Sequence, residues 1–170
     1  MELRETDVFE AATSWPQRSS RKTLTAADAR VVRSLAALRV AAQRAENAAG
    51  AWVAQNGLTG AKFALLLTLA TSDGAIRLSD IRRRLGTTQA NITGLVAGLE
   101  RDGFVRRNTS ETDRRVTFLR LSPTGRRAFD SALPDYLVRG RSALRVLSAR
   151  EQESLVDLLA KLARGLDAAR

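Results

Sequence analysis

The chain has 170 residues with no cysteine and no histidine, and its side chains are 44% apolar but only 5% aromatic. These counts exclude disulfides, thiolate or imidazole metal sites and Ser-His-Asp or Cys-His catalytic units, and they favour a mostly helical protein. The net charge of +10 is concentrated: residues 76–127 hold 12 basic and 5 acidic side chains, whereas residues 1–24 are balanced. A local excess of this kind points to a polyanionic partner, nucleic acid or an anionic membrane.

Residues 1–24 show no sustained period and read as a flexible N-terminal arm without the apolar core of a signal peptide. No apolar run reaches the roughly 18 residues of a membrane span, so a cytoplasmic protein without a membrane partner is expected. Residues 25–57 form the next unit. A long helix is predicted from about Thr25 to Gln55, with Val31, Leu35, Leu38, Ala42, Ala45, Ala49 and Trp52 on one face. Asn56-Gly57 ends it, Gly being the usual left-handed stop.

Residues 58–127 read as a compact lobe. Thr59 caps a second helix running to about Thr71, with Phe63, Leu66, Leu67 and Ala70 inward. Ser72-Asp73-Gly74 is a turn and Ile76 to Leu78 a very short strand. Ser79 is then expected to cap a short helix from Asp80 to Leu85, with Gly86 turning the chain. Thr88 caps the next helix, Gln89 to Arg101, which buries Ile92, Leu95, Val96 and Leu99. Short helix, glycine turn and capped helix make a helix-turn-helix, with the recognition helix at 88–101. A wing is predicted at 104–121: a strand from Phe104 to Arg107, a loop from Asn108 to Asp113, and a strand from Arg115 to Leu121.

Ser122-Pro123 starts another helix, which Pro134 is expected to break or kink. Residues 128–170 hold this helix and a last one, opened by a Ser148/Glu151 capping box and striped by Leu155, Leu158, Leu159, Leu162 and Leu166. The flanking helices carry apolar faces that so small a lobe cannot cover. They are expected to pair across a two-fold axis as N- and C-terminal dimerisation helices, the alternative being that they pack on each other within one chain. The fold class is thus mostly α with a small β-hairpin wing, a winged helix-turn-helix.

The stretch from Leu78 to Phe129 carries, in order, a Leu-Ser start, a Leu-Gly turn, a capped helix, Leu-Glu-x-x-Gly-Phe-Val-x-Arg, Asp-Arg-Arg at the wing and Leu-Ser-Pro-x-Gly. In that order and spacing it resembles the MarR family of winged-helix regulators, and with the flanking helices the resemblance covers roughly residues 28–168. It implies a triangular dimer on double-stranded DNA, with a ligand pocket between the DNA-binding lobe and the dimerisation helices.

The major groove admits one helix, read through its N-terminal half. Gln89, Asn91 and Thr93 are the candidate base contacts there. Thr87 and Thr88 stand at the helix start, where backbone N–H groups also suit a phosphate. Thr88 has capping, and Asn91 support of the cap, as competing roles. Gly94 and Gly98 depart from the long basic side chains that many relatives place on this helix. At the wing, the resemblance implies that Arg115 enters the minor groove while Asp113 fixes its orientation, with Arg114 on a phosphate; an exposed ion pair is the plainer reading. Arg82, Arg83, Arg84, Arg106 and Arg107 are further phosphate neighbours.

The resemblance implies an effector, since the family often senses small aromatic, phenolic or acyl compounds. Trp52, Phe63, Phe129 and Tyr136 are the candidate lining of an effector pocket, with Arg39 or Lys62 as anion partner; scarce aromatics at helical spacing are more usually core residues. No cofactor, metal or catalytic residue is expected. The resulting reading is a ligand-responsive repressor that binds a pseudo-palindromic operator as a homodimer. An architectural DNA-binding protein without an effector is the alternative.

Overall fold

The structure is a computed structural model and describes residues 25–109, 113 and 116–169. The N-terminal arm, residues 1–24, lies outside the described residues. The elements are α1 (Ala26–Val53), a 3-10 turn (Ala54–Asn56), α2 (Gly60–Ala70), β1 (Ile76–Arg77), α3 (Leu78–Arg84), α4 (Gln89–Arg101), β2 (Val105–Thr109), β3 (Thr117–Leu121), α5 (Pro123–Leu144) and α6 (Ala149–Ala168).

Side-chain caps set most helix starts, because the first N–H groups of a helix have no partner within it. Thr25 accepts from the Asp28 amide, Thr59 from Lys62, Thr88 from Asn91, Ser122 from Gly125 and Ser148 from Glu151. Thr25/Asp28 and Ser148/Glu151 are full capping boxes. Gly57 ends the α1 segment in the left-handed conformation, at φ 69°.

Ser79 does not cap α3: the helix begins two residues earlier than expected, at Leu78, and its N-cap Arg77 makes no side-chain bond. Arg77 is also the last residue of β1, paired with Phe118, so the strand's register sets the helix start. Pro134, expected to break or kink α5, does not break it: the helix continues through Pro134 to Leu144. Pro134 and Asp130 are both exposed, so water can satisfy the Asp130 carbonyl that loses its N–H partner. Smaller adjustments concern strand limits and core content. Asn108 and Thr109 extend β2, β3 starts at Thr117, and α2 also buries Leu65 and Leu69.

The sheet is antiparallel in the order β1-β3-β2, with Ile76 opposite Leu119 and Val105 opposite Leu121. Ile76, Leu119 and Val105 turn into the core, where they meet Phe63, Leu66, Ile81, Ile92, Val96 and Leu99. Phe63 stacks on Phe129, with ring centroids 5.6 Å apart, which brings α5 onto α2. α1 and α2 cross closely where Gly50 meets Gly60. A Cβ on Gly60 would lie 3.2 Å from the Gly50 nitrogen and 3.3 Å from the Glu46 carbonyl oxygen.

Every buried apolar residue among those described falls between Val53 and Ala132. The helical arms beyond these limits bury nothing fully. On α6, Leu155, Leu159, Leu162 and Leu166 form one stripe, each 38–49% exposed.

Candidate nucleic-acid interface

The candidate interface is built from the turn between α3 and α4, the outer face of α4 and the base of the wing. Gly86, at φ 59°, lets the chain reverse within two residues, and the Thr87 amide donates to the Arg82 carbonyl at 3.2 Å. The Thr88 hydroxyl then accepts from the Asn91 amide at 3.3 Å and starts α4. Ile92, Val96 and Leu99 anchor the helix from below. The 3.6-residue period therefore leaves Gln89, Ala90, Asn91, Thr93, Gly94 and Ala97 exposed on the opposite side.

The candidate base-reading side chains thus share one solvent-facing surface. The Thr93 hydroxyl donates back to the Gln89 carbonyl at 2.8 Å, so its remaining capacity is to accept. Thr87 is half-buried in the turn, while Thr88 is exposed as the cap. Gly94 has open space around its Cα, and Gly98 faces the stem of Lys62.

Beside this surface lies a cleft of about 400 Å³, lined by Arg77, Ser79, Arg82, Gln89, Thr93 and Arg107 among others. Three arginines thus line the cleft that Gln89 and Thr93 border. Arg77 was missed in the sequence. It is held over the Phe118 ring, with its guanidinium carbon 5.8 Å from the centroid, because β1 pairs with β3 at that position. The available signal was strand alternation: Ile76 buried requires Arg77 outward. Arg107 is paired with Glu100 at 2.9 Å, which ties β2 to α4.

In the wing, the Asp113 carbonyl accepts from the Val116 amide at 2.9 Å, and Asp113 is exposed. Arg114 and Arg115 lie outside the described residues.

The four candidate effector aromatics form one contiguous cluster, with Phe63 4.6 Å from Tyr136 and 5.6 Å from Phe129 between ring centroids, but only part of it faces a cavity. Phe63 and Phe129 are core residues, 2% and 4% exposed. Lys62 is paired with Asp102 at 2.5 Å, which joins the start of α2 to the end of α4. Trp52 and Tyr136 do meet, edge to face, with centroids 5.6 Å apart. They line a largely apolar cavity of about 620 Å³ between α1, α5 and the start of α6, with Arg44, Arg141 and Gln152 at its polar margin. Arg39 is exposed and does not line it. Among the described residues no helix is long and apolar enough to cross a membrane, and no group of three acidic side chains could hold a metal ion.

A helix-turn-helix followed at once by an antiparallel hairpin, with an arginine-lined cleft at their junction, defines a winged helix-turn-helix protein. A family model described as MarR family matches residues 56–116. The chain belongs to the MarR family, whose members are transcriptional regulators rather than enzymes. It is 33% identical over 107 residues to the HTH-type transcriptional regulator YkoM of Bacillus subtilis, a match covering 63% of this chain and 69% of the relative. Across such curated relatives the chain spans about two thirds of their length, 66% and 69% in two cases.

Two solved structures extend the comparison. Sco3205 of Streptomyces coelicolor, a MarR family regulator in complex with DNA, is 27% identical with a TM-score of 0.73, covering 84% of this chain and 93% of that one. BpsR of Bordetella bronchiseptica, whose DNA binding is regulated by 6-hydroxynicotinic acid, is 27% identical with a TM-score of 0.66, covering 74% and 95%.

Proposed function

We propose that the protein is a homodimeric, sequence-specific regulator that binds a pseudo-palindromic double-stranded operator in the cytoplasm and acts as a ligand-responsive repressor. The observation that carries this reading is the union of an exposed α4 face, bearing Gln89, Asn91 and Thr93, with the cleft of Arg77, Arg82 and Arg107 beside it. Side chains that can pair with base edges border the same cleft as arginines suited to phosphates, which is the division of labour that groove binding requires. Two lobes related by a dimer axis would enter successive major grooves about one helical turn apart, and a dimer seated on a promoter excludes polymerase.

The leucine stripe of α6 supports the dimer, since a protomer alone leaves it in water. Effector control is placed at the cavity holding Trp52 and Tyr136, which offers aromatic walls and an arginine margin to a small aromatic, phenolic or acyl compound. Such a compound releases DNA only if it favours the lobe spacing that does not fit the operator.

The test begins with selection of a duplex from a random pool, followed by fluorescence polarisation. Discrete palindromic winners bound by a dimer support the reading; no preference for any duplex at low salt overturns it. Arg115→Ala should weaken binding strongly while the dimer stays intact, and unchanged affinity would remove the wing residue from the interface. Titration calorimetry with aromatic acids and acyl thioesters, repeated on Trp52→Ala, tests the cavity.

A further inference from the structure

The Leu-Ser-Pro-x-Gly segment, Leu121 to Gly125, contacts none of the candidate DNA-reading residues, yet its geometry is the tightest in the lobe. Ser122 is the one polar residue among those described that is buried, at 4% exposure. Its hydroxyl makes two bonds at once. It donates to the Gly103 carbonyl at 2.6 Å and accepts from the Gly125 amide at 2.9 Å. Its own amide donates to the Phe104 carbonyl at 3.0 Å, and the Phe104 amide donates to Leu99 at 2.8 Å. Gly125 closes the contact from the other side. A Cβ there would stand 2.0 Å from the Phe104 carbonyl oxygen and 2.8 Å from its carbon, so no side chain fits unless the backbone moves.

Three directions of chain meet at this point: the exit of α4 at Gly103-Phe104, the end of β3 at Leu121, and the start of α5. The wing leaves the lobe here. A cap alone would need the hydroxyl only as acceptor, and a loop alone would not need a bare Cα at position 125. Both features together fix the angle between the recognition helix and the wing.

We infer that Ser122 and Gly125 are positioning residues for DNA binding: they hold the wing at the inclination that lets it and α4 engage the duplex together. The inference rests on the DNA-binding reading above. When the latch is loosened, α4 still enters its groove but the wing no longer meets the backbone. Affinity and the number of phosphates neutralised should therefore fall together.

The experiment compares Ser122→Ala, Ser122→Gly, Ser122→Thr and Gly125→Ala with the wild-type chain on the selected duplex, reading affinity per folded dimer across a salt series. Folded fraction comes from circular dichroism and dimer fraction from sedimentation. Glycine is a tolerable N-cap, so Ser122→Gly removes the bridge to Gly103 at little cost to the cap. Ser122→Ala and Ser122→Gly are expected to bind about tenfold more weakly per folded dimer, with a log–log salt slope shallower by about 1. Ser122→Thr keeps the hydroxyl and should restore the slope, whereas Gly125→Ala should show the largest loss. Gln89→Ala, which removes a base contact only, should weaken binding at an unchanged slope. Wild-type affinity and slope in folded Ser122→Gly would overturn the inference, as would a loss in every variant that merely follows the folded fraction. Failure of the wild-type chain itself to bind DNA would instead overturn the functional reading.

Discussion

Arg77 shows how a single side chain acquires a role through a partner far away in the chain. It closes a two-residue strand, precedes α3 and is steadied over Phe118, 41 positions later. From there its guanidinium reaches the cleft beside Gln89 and Thr93. Arg77→Ala is expected to lower DNA affinity for all sequences alike and to reduce the salt slope by about 0.9, the loss of one phosphate contact. Stability should change by under about 1 kcal/mol, since only an exposed cation–π contact is lost. A salt titration beside thermal melts checks both. Thr88 belongs to the same scale: Thr88→Ala should cost about 1 kcal/mol of stability through the cap, and Thr88→Ser much less.

The same residues mark what could be read from the sequence. Caps at Thr59, Thr88, Ser122 and Ser148 and the outward set of α4 follow from local chemistry and a 3.6-residue period, and both lie within a few residues of each other. The start of α3 and the place of Arg77 depend on the pairing of β1 with β3, which no local window contains. Phe63 and Phe129 illustrate a second limit. Their spacing suits a pocket wall as well as a core, and only their burial in the folded chain turns them inward.

Among the elements, α6 has the sharpest chemical signature at its start. The Ser148 amide donates to the Glu151 carboxylate at 2.8 Å, and the Ser148 hydroxyl donates to it at 2.8 Å. These bonds, the backbone one foremost, hold the Glu151 carboxyl below its ordinary range. At α1 the Thr25 hydroxyl, then the Thr25 amide, does the same for Asp28. A carboxylate favoured in the folded state contributes its full stabilisation above the unfolded pKa, about 4.3 for Glu. The contribution is lost as pH falls through the lower, folded value. Helicity at 222 nm should therefore decline on acidification below about pH 4.3, and Glu151→Gln should be less stable at neutral pH but flatter across that acid window. A Glu151→Gln curve parallel to wild type would show that the box contributes nothing to α6.

At the scale of the whole molecule, the division is between a lobe with its own core and arms without one. Val53 to Ala132 contain all the buried apolar residues described, while α6 contains none. Leu155, Leu159, Leu162 and Leu166 recur at four- and three-residue steps, the spacing of a helix-pairing seam. The double substitution Leu159→Glu and Leu162→Glu should yield monomers in sedimentation, with the lobe's near-ultraviolet dichroism kept and operator affinity sharply reduced. A dimer that survives both changes would place the two-fold contact elsewhere. The predicted architecture is visible in the sequence at this scale because apolar stripes outnumber what a lobe of this size can cover.

The bare crossing of Gly50 and Gly60 gives these arms a particular mechanical property. Interlocked side chains would act as cogs, and any rotation would have to lift them over one another. Where Gly50 meets Gly60 the two helices touch through backbone, with small alanine side chains beside them. From Gly50 to the far end of α1 at Ala26 the helix extends about 36 Å, so a swivel of about 5° at this crossing would carry the tip through about 3 Å. Leverage of that size would turn a modest tilt at the base into a displacement comparable to the rise of one base pair.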